Sequence, residues 1–167
     1  MRRGIRNSVA VKFDVYSNAG EGTKTYRGYR RDHTIVSQGK PQIPGSSDPA
    51  FRGDAARYNP EELLVAALSS CHMLWYLQLC AVNHVIVVDY QDSAAGMLAE
   101  GDDGSGAFVR ILLRPKVKIS ASDESKALAL HDQVHHLCFI ARSVNFPVEI
   151  APEIFRAEAS DSPVAVM

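Results

Sequence analysis

Residues 63–82 (LLVAALSSCHMLWYLQLCAV) run for twenty positions without a formal charge, and sixteen of them are apolar. Asn59 is a favoured N-cap and Pro60 suits the first helical position. Glu61 and Glu62 then complement the positive end of a helix dipole, so a helix is predicted from about residue 59 to about residue 83. Its length would suit a membrane span. However, Ser69, Ser70, His72 and Gln78 interrupt it, three of them near the centre, where lipid tolerates polar groups least. The run therefore reads as a fully buried helix of a soluble protein. A chain of 167 residues has too few other elements to wrap a helix that is apolar on every side. A dimer in which two such helices pack together is the economical solution.

The remaining segments are predicted in the order ββ–α–ββ–α–β, an α+β pattern. Residues 9–16 (VAVKFDVY) alternate partly and read as a strand, with residues 24–37 as its hairpin partner across a turn at Asn18-Ala19-Gly20. Residues 38–56, rich in proline and glycine, read as a loop. Strands are predicted at 84–98 and 107–120, with a Gly/Asp-rich turn between them. A second helix follows, capped by Ser122 and running to about Val144, where Pro147 stops it. Residues 147–151 form a last short strand. A single domain over 1–158 and a frayed tail over 159–167 are expected. The net charge of −1 gives no global attraction to nucleic acid or to an anionic membrane. Three cysteines, an odd number, argue against a secreted disulfide framework and for a reducing, cytoplasmic setting.

The chemistry concentrates on those cysteines. Cys71 lies in SSCH, with two hydroxyls and an imidazole beside it, and Cys138 lies in the second helical segment. Two thiols on separate elements suit a reactive pair, one attacking and one closing a disulfide, and point to reduction of a peroxide. Cys80, nine residues after Cys71, points to the opposite side of the helix and reads as a small buried hydrophobe. A continuous helix would place His131, His135 and Arg142 on the face of Cys138, lowering its pKa. The same face supports another reading, a zinc-dependent hydrolase built on His131, His135 and Cys138, since histidines at i and i+4 can share a metal. Its acid is Asp132 where the HExxH pattern has glutamate. A third reading is a non-catalytic or redox-sensing dimer.

Three segments, Arg31-Asp32-His33-Thr34, residues 51–77 (FRGDAARYNPEELLVAALSSCHMLWYL) and residues 135–148 (HHLCFIARSVNFPV), resemble the OsmC/Ohr family, the osmotically inducible and organic-hydroperoxide-resistance proteins. The general OsmC-like branch is the nearer one. The resemblance implies two long helices packed on antiparallel sheets in an intertwined homodimer with its sites at the subunit interface. It implies that Cys71 attacks an organic hydroperoxide and that Cys138 resolves the sulfenic acid. A dithiol reductant, such as a lipoyl group, would reopen the disulfide, and no cofactor is required. The family's glutamate maps onto Glu61 and its arginine onto Arg31, with Arg30 the neighbouring alternative. Ten residues of helix span ~15 Å, so either the chain bends near Pro60 or, the favoured reading, the partner subunit supplies Glu61. Roles for His33, His72 and His135 are left open by the sequence. Phe139 stands where the organic-hydroperoxide branch usually has proline, and the apolar neighbours of Cys71 favour organic over hydrogen peroxide.

Overall fold

The structure, a computed structural model, describes residues 10–20, 22–120 and 123–157. The chain divides into two compact units, Met1–Leu63 and Leu64–Met167. The tail expected at 159–167 and the predicted cap Ser122 lie outside the described residues.

In the first unit, β1 (Asp14–Ser17), β2 (His33–Val36) and β3 (Ile43–Gly45) form an antiparallel sheet in the order β1-β2-β3. The predicted hairpin is present, but shorter, and β3 falls inside the segment expected to be loop. Its side chains carry little strand signal, since Pro44 and Gly45 occupy two of its three positions. The backbone pairing that defines it comes from β2 and from Tyr58, whose N–H donates to the Pro44 carbonyl at 3.1 Å. Glycine is required at position 45, because a Cβ there would lie 2.2 Å from the His33 ring.

The helix α1 (Pro60–Val82) begins as expected. The Asn59 side chain accepts from the Glu62 N–H at 2.7 Å, and Glu62 accepts from the Asn59 N–H at 3.0 Å. This reciprocal capping box satisfies two otherwise orphaned donors.

The second unit contains two three-stranded sheets. One has the order β4-β7-β9, from β4 (Val87–Asp92), β7 (Pro115–Ile119) and β9 (Glu153–Arg156). The other has the order β5-β6-β8, from β5 (Ala95–Glu100), β6 (Gly106–Leu113) and β8 (Val148–Ile150). Each sheet pairs two strands antiparallel and adds the third in parallel, so both are mixed where purely antiparallel sheets were expected. The two long strands predicted from sequence are each broken in the middle, at Ser93-Ala94 and at Arg114. Their halves belong to different sheets. Asp92 stabilises this crossing: its Oδ1 accepts from the Arg114 N–H at 2.7 Å, while Pro115 opposite it has no N–H to offer. The final strand, β9, was absent from the sequence reading.

The helix α2 (Glu124–His135) is capped by Asp123, which accepts from the Ser125 and Lys126 N–H groups. It ends nine residues earlier than Val144. The chain then turns so that Ile140 and Ala141 pack against both core clusters.

Those two clusters share α1. Leu64, Val65 and Leu68 pack with Ile111, Leu113 and Phe146. Tyr76 and Cys80 pack with Val117, Ile119, Leu130 and Val134. The fully buried residues of α1, Leu68, His72, Tyr76 and Cys80, recur every four positions and form one stripe. Leu74 and Val82 remain 63% and 65% exposed, so a single chain does not bury the helix on all sides. Among the described residues, α1 is the one helix long and apolar enough to cross a membrane, yet its stripe forms the core of this unit.

Candidate functional site

Cys71 lies on α1, packed against the Tyr76–Cys80 cluster, and Cys138 lies in the turn after α2. The two sulfurs are 2.8 Å apart, with Cys138 Sγ donating to Cys71 Sγ. Both are free thiols, and the separation exceeds the ~2.05 Å of a disulfide. Backbone bonds fix the position of Cys138: its N–H donates to the Val134 carbonyl at 2.8 Å, and its sulfur accepts from the Ala141 N–H at 3.4 Å.

Because α2 stops at His135, the helical face expected to join His131, His135 and Arg142 to Cys138 does not exist. Burial therefore decides its ionisation. The Cys138 thiol is pushed up to about 11, first by desolvation and then by the hydrogen bond it gives to Cys71. This reverses the expected lowering. Cys138 is held as a proton donor, and Cys71 is the sulfur that receives.

Cys71 forms part of a shallow recess of about 370 Å³, walled by Ala67, Leu74, Trp75, Phe139 and Ile140. Trp75 and Phe139 meet edge to face, with ring centroids 5.7 Å apart and an interplanar angle of 70°. Ser70 is the other polar residue of the lining, and its hydroxyl donates to the Ala67 carbonyl at 3.2 Å. Ser69, two residues before Cys71, donates to Asp92 Oδ2 at 2.6 Å and so ties this helical turn to the strand crossing.

His72 points away from the recess into the core. Its Nε2 lies 2.9 Å from His131 Nδ1, and the His131 ring stacks on Tyr76 with centroids 3.8 Å apart. Tyr76 donates to the Ala127 carbonyl at 3.1 Å, completing a buried cluster that joins the two helices. Desolvation lowers His72 to about 4, against the pull of Asp92, and lowers His131 to about 3. Both imidazoles are therefore neutral. His131 Nε2 and the Tyr90 hydroxyl are buried with no hydrogen-bond partner among the described residues.

The zinc reading fails on this geometry. His131 is buried against His72, His135 is exposed beside His136, and Cys138 is engaged with Cys71. Among the described residues, no three of His, Cys, Asp or Glu gather as a metal site. Cys80 is buried in the core, and desolvation raises its thiol.

The other two candidates belong to the first unit. Glu61 lies half-buried in the first turn of α1. Arg31 donates to the Tyr29 and Tyr26 carbonyls, each at 2.6 Å, and its guanidinium lies 3.8 Å from the Tyr29 ring centroid. Arg30 instead lines a separate recess with Asp32, His33 and Arg57. His33 Nδ1 lies 3.1 Å from the Arg31 carbonyl.

Sequence reasoning found both sulfurs but missed the Ser69–Asp92 tether and the His72–His131 pair. Residues 23 and 59 positions apart leave no local signal of such contacts. The Trp75–Phe139 wall was half visible, since Phe139 stood out as a departure from proline.

Residues 53–153 match the family model described as OsmC-like protein. No curated protein matches the chain. Among solved structures, an OsmC-like protein of unknown function from Vibrio cholerae is 30% identical. The match covers 89% of this chain and all of that one, with a TM-score of 0.76. An organic hydroperoxide resistance protein from Elizabethkingia anophelis is 13% identical over 92% of this chain and all of its own, with a TM-score of 0.66. A putative organic hydroperoxide resistance protein from Vibrio cholerae, with captopril bound in one of its active sites, is 16% identical. That match covers 91% of this chain and 96% of its own, at a TM-score of 0.64. The last two likenesses are of fold alone. With more than half of its length matched by the family model, and a 30% identical structure aligned over most of it, the chain belongs to the OsmC-like protein family.

Proposed function

We propose that this protein is a thiol-dependent peroxidase that reduces organic hydroperoxides through Cys71 and Cys138. The observation that carries this reading is the sulfur pair at 2.8 Å, opening on an apolar recess, with Cys138 as the hydrogen-bond donor. The thiolate is the nucleophile in such chemistry, and Cys71 is the sulfur that lines the recess. The Cys71 thiolate attacks the terminal peroxide oxygen, the O–O bond breaks, and the departing alkoxide takes a proton to leave as an alcohol. The Cys138 sulfur then attacks the Cys71 sulfenic acid, expelling water and forming a disulfide. Two electrons from an external dithiol, of which a lipoyl group is one example, return both thiols to the reduced state.

Glu61 and Arg31 complete the site in this proposal, reaching it from a second copy in a homodimer. A guanidinium would stabilise the departing oxygen, and a carboxylate would orient the guanidinium. Support for the dimer comes from uncovered apolar surface. Val11, Phe13 and Val15, spaced by two, are 79%, 49% and 64% exposed, as is the outer side of α1 at Val82. A cytoplasmic location fits the odd number of cysteines and their need for a reducing partner.

The test is hydroperoxide consumption with a dithiol donor by wild type, Cys71→Ser and Cys138→Ser. Turnover is expected in wild type alone, falling to background in Cys71→Ser. Equal rates in all three would remove the proposal. A Cys71–Cys138 disulfide that forms without turnover would favour a redox-sensing dimer instead.

A further inference from the structure

The segment that leads into β2 holds Arg31 by its main chain and by its side chain. The Gly28 N–H donates to the Thr25 carbonyl at 3.1 Å and closes a turn that gathers Tyr26, Tyr29 and Arg31. A Cβ at position 28 would lie 2.8 Å from Thr25 Oγ1, so glycine suits that turn. Beyond it, His33 Nδ1 lies 3.1 Å from the Arg31 carbonyl. A carbonyl only accepts, so this nitrogen bears the proton. The His33 ring is itself seated on Gly45 of β3, which fixes the Arg31 main chain against the sheet. The guanidinium folds back along the turn. Its Nη1 donates to the Tyr29 carbonyl and its Nη2 to the Tyr26 carbonyl, each at 2.6 Å. Its central carbon lies 3.8 Å from the Tyr29 ring centroid and 4.8 Å from that of Tyr26. A flat cation over an aromatic face is attracted by the electron density of the ring as well as by contact.

We propose that Tyr29 is a positioning residue for Arg31, its ring holding the guanidinium in the orientation in which it meets the site of a second copy. The proposal rests on the reading that Arg31 serves the Cys71 site across a dimer, and it adds the group that prepares Arg31 for that task. An unheld arginine samples many rotamers and gives up that freedom when it binds an anionic oxygen. One stacked on a ring has given it up already. Two carbonyls do not exhaust a guanidinium, whose several N–H groups form a rigid fork, so a held Arg31 can still pair with a carboxylate or a departing oxygen.

The test reads the cation beside Cys71 without turnover. Full-length reduced protein is alkylated at neutral pH with iodoacetate, an anion, and in parallel with iodoacetamide, its uncharged counterpart. The Cys71 peptide is then quantified by mass spectrometry. Dividing the iodoacetate rate by the iodoacetamide rate cancels the thiolate fraction and the exposure of the sulfur, which both reagents share. What remains is the pull of a nearby positive charge on the anion. The ratio is expected to fall about fivefold in Arg31→Gln, the factor one unit charge supplies at ~4 Å in water. A fall of roughly twofold or more is expected in Tyr29→Leu, which frees the guanidinium, and a wild-type ratio in Tyr29→Phe, which keeps the ring. A wild-type ratio in Tyr29→Leu beside a fall in Arg31→Gln would overturn the proposal and leave Arg31 in the site. Equal falls in Tyr29→Leu and Tyr29→Phe would overturn it as well, since the second retains the stacking face. No change in Arg31→Gln would remove Arg31 from the site and the role of Tyr29 with it. Because neither reagent is a peroxide, absence of turnover in the peroxidase assay is scored separately.

Discussion

His72 stands next to Cys71 in sequence, yet its side chain belongs to the core. With His131 it forms a neutral, buried pair, and the folded pKa values of about 4 and about 3 lie below the 6.5 of the unfolded chain. Between these limits the unfolded state binds more protons than the native state. The pair's contribution is therefore complete above pH 6.5 and is lost as pH falls toward 4. Each histidine contributes a slope of up to about 1.4 kcal/mol per pH unit. Urea midpoints are expected to drop steeply between pH 6.5 and 4.5, and the slope is expected to halve in His131→Phe. A midpoint independent of pH in that window would contradict the assignment. At this scale the sequence singled out Cys71 and Cys138, and the fold brings their sulfurs together. It left a metal-ligand alternative open for His131, because i, i+4 histidines show a shared face but not whether that face turns inward or toward a metal.

Among the elements, α1 was the most legible. Its start follows from Asn59, Pro60 and Glu62, residues whose preferences are local, and the observed capping box bears this out. Asn59→Ala is expected to cost about 1 kcal/mol in chemical denaturation, since it removes one arm of that box. The strands were less legible, because their breaks at Ser93-Ala94 and Arg114 depend on which sheet each half joins. Alternation of side chains continues through both breaks. The tie at the crossing is Asp92, which holds the Arg114 N–H and the Ser69 hydroxyl together. Asp92→Ala is expected to lower stability by about 0.5–1.5 kcal/mol, the net range for hydrogen bonds that stay at least partly exposed. A change below 0.5 kcal/mol in the same denaturation experiment would show that the tether does not hold the crossing. The parallel strands β8 and β9 were only partly foreseen, because their partners lie more than 30 residues away.

For the whole molecule, the uncovered apolar row at Val11, Phe13 and Val15 gives the association proposal its test. Light scattering is expected to give twice the mass of one chain for wild type and close to one chain for Val15→Lys. A monomeric wild type at micromolar concentration would count against the dimer. The α+β class was readable from the order of patterns along the chain. The association of copies was inferred from one greasy helix, and α1 does leave Val82 and Leu74 uncovered. Even so, α1 is anchored at both ends. Its first half is fastened into one cluster and its second half, with Cys71, into the other. Turning this helix would unseat two interiors at once, while the short bend around Cys138 is held by a few main-chain bonds and by Cys138, Ile140 and Ala141 packed on the clusters. Drawing the sulfurs into a covalent bond is thus a task for residues 136–144. Amide hydrogen exchange should quicken or slow on oxidation in that stretch, leaving the middle of α1 as it was.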